Sequence, residues 1–316
     1  MISKEQIKAS IYGLTVGDCL GVPVEFYPRQ YFKNNPVKDM IGYGTYNQPV
    51  GTWSDNTSLS LATLDGMIGG LDVNKIGKNF VNYLRNNAFC QNKLFDIGNT
   101  TKYAIENIEV AIKSNSLDCE SIIYGRTDNN SSGNGSLMRM IPVALYLYDN
   151  IEKYDNTNKR QRIVYMVSSI THASQQCLFG CKIYVEYAVA LLQGENKHKA
   201  FSNLVNKLRY TNNAEINSKY SRLFNEHFSN LGRTEIYSSG YIVDSLEASI
   251  WCFLNTDNYK DAVLTAVNLG EDTDTIGCIT GGLAGIYYGY DNIPENWINN
   301  IYKKKIINDL IDEYLK

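Results

Sequence analysis

The sequence predicts an all-α protein folded as a single domain over residues 1–316. Apolar residues recur at helical spacing along most of the chain, sustained strand-type alternation is absent, and only six prolines interrupt 316 residues.

Taken in order, Ser3 and Gln6 form a capping-box pattern ahead of Ile7, Ile11 and Leu14, which follow i, i+4, i+7. Gly13, Gly17 and Gly21 line the same opening helix. Residues 28–49 hold three of the six prolines among Tyr, Asn and Gly, and read as a long ordered loop or lid. Leu61, Leu64, Ile68 and Leu71 mark a helix straight after Ser54-Asp55-Asn56-Thr57. Loops are expected at 86–101 and 125–135, and a Lys- and Asn-rich one at 194–240. Between them, residues 137–147 begin a helix, Ile163, Val167 and Ile170 mark another, and Cys177, Cys181, Tyr184, Ala188 and Leu191 a third. Residues 259–268 read as a helix stopped by Gly270, with a new one beginning near Thr275. In that last helix Gly277, Gly281, Gly285 and Gly289 recur every fourth residue, at about 0.8–1.0 kcal/mol per glycine relative to alanine. Two bare faces suggest that the first and last large helices cross at short range. Such a crossing serves packing alone, or it also carries Glu25 up to the aspartates near residue 272.

Composition narrows the function classes. A hydrophobic content of 44% supports a large core, and no stretch approaches the ~20 apolar residues of a membrane span. Seven scattered cysteines read as reduced thiols, with Cys177 and Cys181 on a core stripe, and the N-terminus lacks a secretory pattern. A cytoplasmic protein is expected. A net charge of −3 argues against a general nucleic-acid-binding surface, and three histidines offer little material for zinc.

Asp272-Thr273-Asp274-Thr275 puts two carboxylates and two hydroxyls in one short segment, the oxygen-rich set that a hard divalent cation takes. On a continuous helix carboxylates at i and i+2 would diverge by about 200°, so the pair belongs where the chain turns. Asp272 or Asp274 can also simply cap the following helix. The second cluster, Ser54-Asp55-Asn56-Thr57, likewise precedes a helix, and two such corners facing each other would make a metal site. Gly133-Asn134-Gly135-Ser136 can bring backbone N–H groups close to an anion, or serve as an ordinary connection; it lacks a Walker lysine and follows no strand. His172 is either structural or an imidazole donor beside that loop. A haloacid-dehalogenase-type phosphatase, with Asp272-x-Asp274-Thr275 as nucleophile motif, is disfavoured because no apolar strand precedes it.

In this order the motifs resemble the ADP-ribosylglycohydrolase family: 17–25 (Gly-Asp-Cys-Leu-Gly-Val-Pro-Val-Glu), 51–57 (Gly-Thr-Trp-Ser-Asp-Asn-Thr), 133–139, Thr171-His172, Gly240-Tyr241 and 268–275. The resemblance implies an all-α fold with a metal-binding cleft and hydrolysis of the bond joining ADP-ribose to a modified protein side chain, a small molecule or a nucleic acid. It implies two divalent cations, Mg²⁺ or Mn²⁺, held by Ser54, Asp55, Asn56, Asp272, Asp274 and Thr275. Glu25, Asp55 and Asp274 are the implied catalytic residues, and Gly133, Asn134, Gly135, Ser136, His172 and Tyr241 the substrate-binding ones. Two departures stand out. Asn56 replaces a second aspartate, leaving three carboxylates for two dications and one metal weakened, and Ala173-Ser174 follows His172 in place of a second histidine. They keep a second reading open, a family member that binds ADP-ribose or serves structurally without cutting. Tyr43, Tyr46, Asp96 and Tyr241 either touch the ligand or pack the loops.

Overall fold

In the computed structural model, which describes residues 2–316, fifteen α-helices follow one another, with no β-sheet among the described residues. Helix α1 (Lys4–Gly21) starts on the expected capping box: Gln6 N donates to Ser3 Oγ at 3.1 Å and Ser3 N to Gln6 Oε1 at 3.0 Å. A short α2 (Arg29–Asn34) lies in the lid segment, followed by α3 (Asp55–Asp65), α4 (Val73–Asn86) and α5 (Asn99–Lys113). The middle of the chain forms α6 (Ile141–Asp149), α7 (Thr157–Ser169), α8 (Gln175–Leu192), α9 (Lys197–Leu208) and α10 (Ala214–Lys219). The last third forms α11 (Ile242–Leu254), α12 (Tyr259–Val267), α13 (Thr273–Tyr288), α14 (Glu295–Asn300) and α15 (Lys305–Tyr314). They share one core, which includes the reduced, fully buried Cys177 and Cys181. Among the described residues, no helix is long and apolar enough to cross a membrane.

Several local expectations are corrected. Residues 194–240 are not one loop: Asn196 caps α9, whose Ala200, Phe201, Leu204, Val205 and Leu208 are buried while Lys199, Asn203, Asn206 and Lys207 form the solvent face. Helix α3 ends at Asp65, because Gly66, Gly69 and Gly70 follow and the last two stand at φ 75° and 132°, so Ile68 and Leu71 fall in the turn before Asp72 caps α4. Within the lid, Gly44–Tyr46 forms a 3₁₀ turn in addition to α2. Helix α13 starts at Thr273, and neither aspartate caps it: Asp272 holds the cap position but makes no capping bond.

The two glycine stripes meet along α1 and α13. A Cβ on Gly13 would overlap the Gly281 carbonyl, one on Gly17 the Gly277 carbonyl, and one on Gly21 the backbone of Asp274. Thr273 Oγ1 donates to Gly21 O at 2.8 Å, fixing the end of α1 against the start of α13. Bare backbone is therefore what brings the segment after α1 to the aspartates. Gly17→Ala is expected to destabilise the protein by ~2 kcal/mol, since rigid carbonyls rather than flexible side chains must move. Thermal unfolding checks this, and an unchanged midpoint would show that the helices separate freely.

Candidate active site

Asp18, on the last turns of α1, organises the first corner. Fully buried, its carboxylate accepts from Ser54 N (3.1 Å), Ser54 Oγ (2.8 Å), Thr57 N (3.0 Å) and Thr57 Oγ1 (2.6 Å). These bonds seat the N-terminus of α3 against α1. Burial pushes Asp18 up to about 6 despite the donors that pull it down. The Ser54 hydroxyl is occupied: it donates to Asp18 and accepts from Asn56 N (3.2 Å) and Nδ2 (2.8 Å).

The two corners touch. Asn56 Nδ2 donates to Asp274 Oδ2 at 3.0 Å, across 218 residues of sequence. With its amide nitrogen among Ser54, Asp18 and Asp274 oxygens, Asn56 keeps its Oδ1 without a partner. Three carboxyl oxygens are equally buried and unpaired: Glu25 Oε2, Asp272 Oδ1 and Asp274 Oδ1. Burying such acceptors unpaired is costly. An all-oxygen donor set of this kind fits a hard divalent cation, which would supply the missing partner.

Glu25 follows the 3₁₀ turn Val22–Val24, and the lid fixes it, because Thr45 Oγ1 donates to Glu25 O at 2.8 Å. One carboxylate oxygen each from Glu25, Asp96 and Asp274 lie within 4.8 Å of one another. Asp96 stands on the loop between α4 and α5, which Tyr83 Oη holds by donating to Asp96 O at 2.7 Å. Glu25 is pushed up to about 9, first by burial and then by the charges of Asp96 and Asp272. Asp96 rises to about 6 through burial, while Asp55 and Asp274 are raised by burial and by their acidic neighbours. Beside Glu25, Phe26 stands at φ 68°, strained for an aromatic residue, and Glu271 faces it at φ 63°. Phe26 N donates to Glu271 O at 2.7 Å and Glu271 N to Tyr27 O at 2.8 Å, so two left-handed residues join the segments that carry Glu25 and Asp272.

A cavity of about 340 Å³ opens here, lined by Glu25, Asp55, Asp96, Asp272 and Thr275 on one side and Gly133, Asn134, Gly135 and His172 on another. The glycine loop is strapped in place: Asn134 N donates to Gly240 O at 3.0 Å and Ile242 N to Ser132 O at 3.0 Å. The Asn134 side chain donates to Asp272 Oδ2 at 2.7 Å, so it tethers the second corner. Ser136 is buried behind the loop, where its hydroxyl pairs with Ser168 Oγ at 2.9 Å. Tyr241 donates its hydroxyl to Gln176 and does not line this cavity. Sequence reading gave Asp18 and Asp96 no firm role. A carboxylate inside the apolar face of α1 was a signal for Asp18, whereas Asp96 was marked only as one of four loop residues that touch the ligand or pack the loops.

The raised values of Asp18, Asp96 and Glu25 fix the sign of a stability change with pH. Unfolded carboxyls titrate near 4, whereas folded Asp18 and Asp96 titrate at about 6 and Glu25 at about 9. Their contribution to stability is therefore complete below about pH 4 and is lost as pH rises through the folded values. The metal-free protein should thus lose stability from pH 5 to 9, and the rise in melting temperature on adding Mn²⁺ should be larger at pH 8.5 than at pH 5.5. Equal rises would argue against a cation at these carboxyls. Asn56→Asp removes the amide donor between Asp18 and Asp274 and adds a charge. It is expected to lower the melting temperature in chelator and to enlarge the gain from Mn²⁺, whereas a gain equal to wild type would mean that residue 56 does not face the ion.

An all-α fold thus joins acidic corners from both ends of the chain beside a glycine-rich loop. The ADP-ribosylglycohydrolase family model matches residues 2–316, and the chain belongs to that family. It is 31% identical to ADP-ribosylarginine hydrolase Tri1 of Serratia proteamaculans (strain 568), over 98% of this chain and 79% of the relative. To ADP-ribosylarginine hydrolase Tri1 of Pseudomonas putida (strain GB-1) it is 30% identical, over 98% and 77%. A solved structure named ADP-ribosylglycohydrolase-related protein complex shares the fold at a TM-score of 0.79 and 26% identity, covering 98% of this chain and 97% of that one. Membership supports a hydrolase that cleaves ADP-ribose from a modified group.

Proposed function

We propose that this protein is a divalent-cation-dependent hydrolase that releases ADP-ribose from arginine side chains of modified proteins. The observation that carries the reading is the set of unpaired buried oxygens on Glu25 and Asp272, which line one cavity, and on Asn56 and Asp274, of which Asp274 lies in the same acidic cluster as Glu25 and is bonded to Asn56. Arginine as the linkage is favoured by the names of the two relatives above and by the acidic cavity, which suits a cationic leaving group.

Asp55, Asp272, Asp274 and Thr275, with Asn56 Oδ1, would hold the ions, and Glu25 and Asp96 would extend the set to five carboxylates. That number offsets the charge lost at Asn56. Bound cations would supply charge that orients the ribose hydroxyls and acidifies water. Glu25 would move the proton, accepting it from the attacking water or delivering it to the leaving nitrogen as the C1–N bond breaks and water oxygen joins C1. Gly133 and Gly135 offer backbone close to a phosphate, and His172 an N–H beside them.

Incubation of an arginine-ADP-ribosylated protein with the enzyme and Mn²⁺ or Mg²⁺ should release free ADP-ribose, and chelator should stop release. Release from serine-linked substrate alone would replace arginine as the linkage. Binding of ADP-ribose without turnover on any linkage would favour the binding-protein reading.

A further inference from the structure

Arg139 is fully buried, at the end of the 3₁₀ turn that follows the glycine loop, and no acidic residue pairs with it. Its Nη2 donates to Thr171 Oγ1 at 2.8 Å and to Val167 O at 3.2 Å, and its guanidinium lies 4.8 Å from the centre of the Phe80 ring. Thr171, also fully buried, places the same hydroxyl 3.0 Å from Nδ1 of His172. A buried arginine without an acidic partner, linked through Thr171 to the histidine that borders the candidate phosphate loop, calls for an explanation.

Donor counting gives one. Arginine only donates, so Thr171 Oγ1 accepts there, and the single hydroxyl hydrogen has one acceptor in reach, His172 Nδ1. Were Nδ1 itself protonated, that hydrogen would be buried without a partner. Nδ1 is therefore the acceptor, and the ring proton sits on Nε2. The ring is fixed from behind as well, since His172 N donates to Ser168 O at 2.8 Å and Ser168 Oγ to His172 O at 2.9 Å. On its far edge Nε2 makes no hydrogen bond within the protein and borders Gly133 and Gly135, where a Cβ would come within 3.7 and 3.3 Å of it. Burial, with the Arg139 charge, lowers His172 to about 3, which leaves the ring neutral.

We propose that Arg139 and Thr171 are positioning residues that lock His172 as its neutral Nε2–H tautomer, aiming one N–H donor into the cavity for an anionic oxygen of the ligand. That this oxygen belongs to the ADP-ribose diphosphate rests on the function proposed above; the lock does not. A neutral donor suits a site already crowded with carboxyls, because it recognises the phosphate by direction rather than by a charge that would draw the acidic corner toward it.

The test is tautomer-resolved ¹⁵N spectroscopy of histidine-labelled, ligand-free protein. Only three histidines are present, and His172 is identified by its loss in His172→Asn. Wild type should show His172 protonated at Nε2 with a hydrogen-bonded, unprotonated Nδ1. In Thr171→Val, which keeps the shape and removes the hydroxyl, the Nδ1 signal should shift to that of a free ring nitrogen, and Thr171→Ser should restore the wild-type pattern. Affinity for ADP-ribose should fall roughly twofold or more in Thr171→Val as the competent tautomer is diluted, and recover in Thr171→Ser. A proton on Nδ1 in wild type, or a Thr171→Val spectrum identical to wild type, overturns the proposal. If the spectra behave as expected and ADP-ribose does not bind at all, the lock stands and the proposed function fails.

Discussion

Asp274→Asn is expected to abolish release of ADP-ribose while leaving the protein folded, and without chelator-sensitive stability to lose. Asp274 meets both corners: Oδ2 accepts from Asn56 Nδ2 at 3.0 Å, and Oδ1 is buried and unpaired. Its ionised form is disfavoured by burial first, then by the nearby Glu25, Asp272 and Asp96 charges. An isosteric amide removes that repulsion, so the metal-free variant should melt no lower than wild type. Cation binding should suffer, because the lost charge lies where a dication would be held. Metal assistance is worth several kcal/mol in such hydrolyses, and each 1.36 kcal/mol is a factor of ten, so turnover should fall by ~10³-fold or more. Turnover assays with Mn²⁺ titration, paired with melting curves in Mn²⁺ and in chelator, separate the two effects. Wild-type turnover in the variant would remove the acidic corner from the mechanism.

Glu25→Gln is the second large effect. Glu25 lines the cavity with one oxygen unspent, and burial beside Asp96 and Asp272 raises it to about 9. A group so placed holds its proton near neutral pH in the metal-free protein and would give it up more readily beside a bound cation, which suits proton transfer. Glutamine keeps the shape and cannot exchange the proton. The turnover number should drop by ~10²–10⁴-fold, the limb of the pH–rate profile that Glu25 supplies should vanish, and ADP-ribose affinity should hold within a few-fold. A variant that loses affinity but keeps turnover at saturation would make Glu25 a binding group instead.

The fold class was legible because helical periodicity needs only local sequence, and the capping box at Ser3 and Gln6 formed as expected. Less legible was the amphipathic α9, hidden by a Lys- and Asn-rich solvent face, and the end of α3, which glycines set. The candidate site divided in the same manner. Asp272, Asp274, Asp55 and Asn56 stood out as oxygen clusters in the sequence, and the glycine stripes pointed to a close crossing. Asp96 stood out only as a ligand contact or loop-packing residue and not as part of the acidic cluster, since a loop carboxylate carries no pattern until the loop is packed.

The sequence by itself determined the all-α class, the family and the oxygen-rich clusters at both ends of the chain, because periodicity, motif order and side-chain composition are properties of short segments. Tertiary structure alone decided which donors stay free. Ser54, Asn134 and Ser136 are drawn into bonds with Asp18, Asp272 and Ser168, while oxygens of Glu25, Asn56, Asp272 and Asp274 remain unpaired. The physical reason is that hydrogen-bond capacity is shared among whatever groups packing brings together. In this chain the two acidic corners, Asn56 and Asp274, lie 218 residues apart in sequence, and they meet where the backbones of α1 and α13 touch.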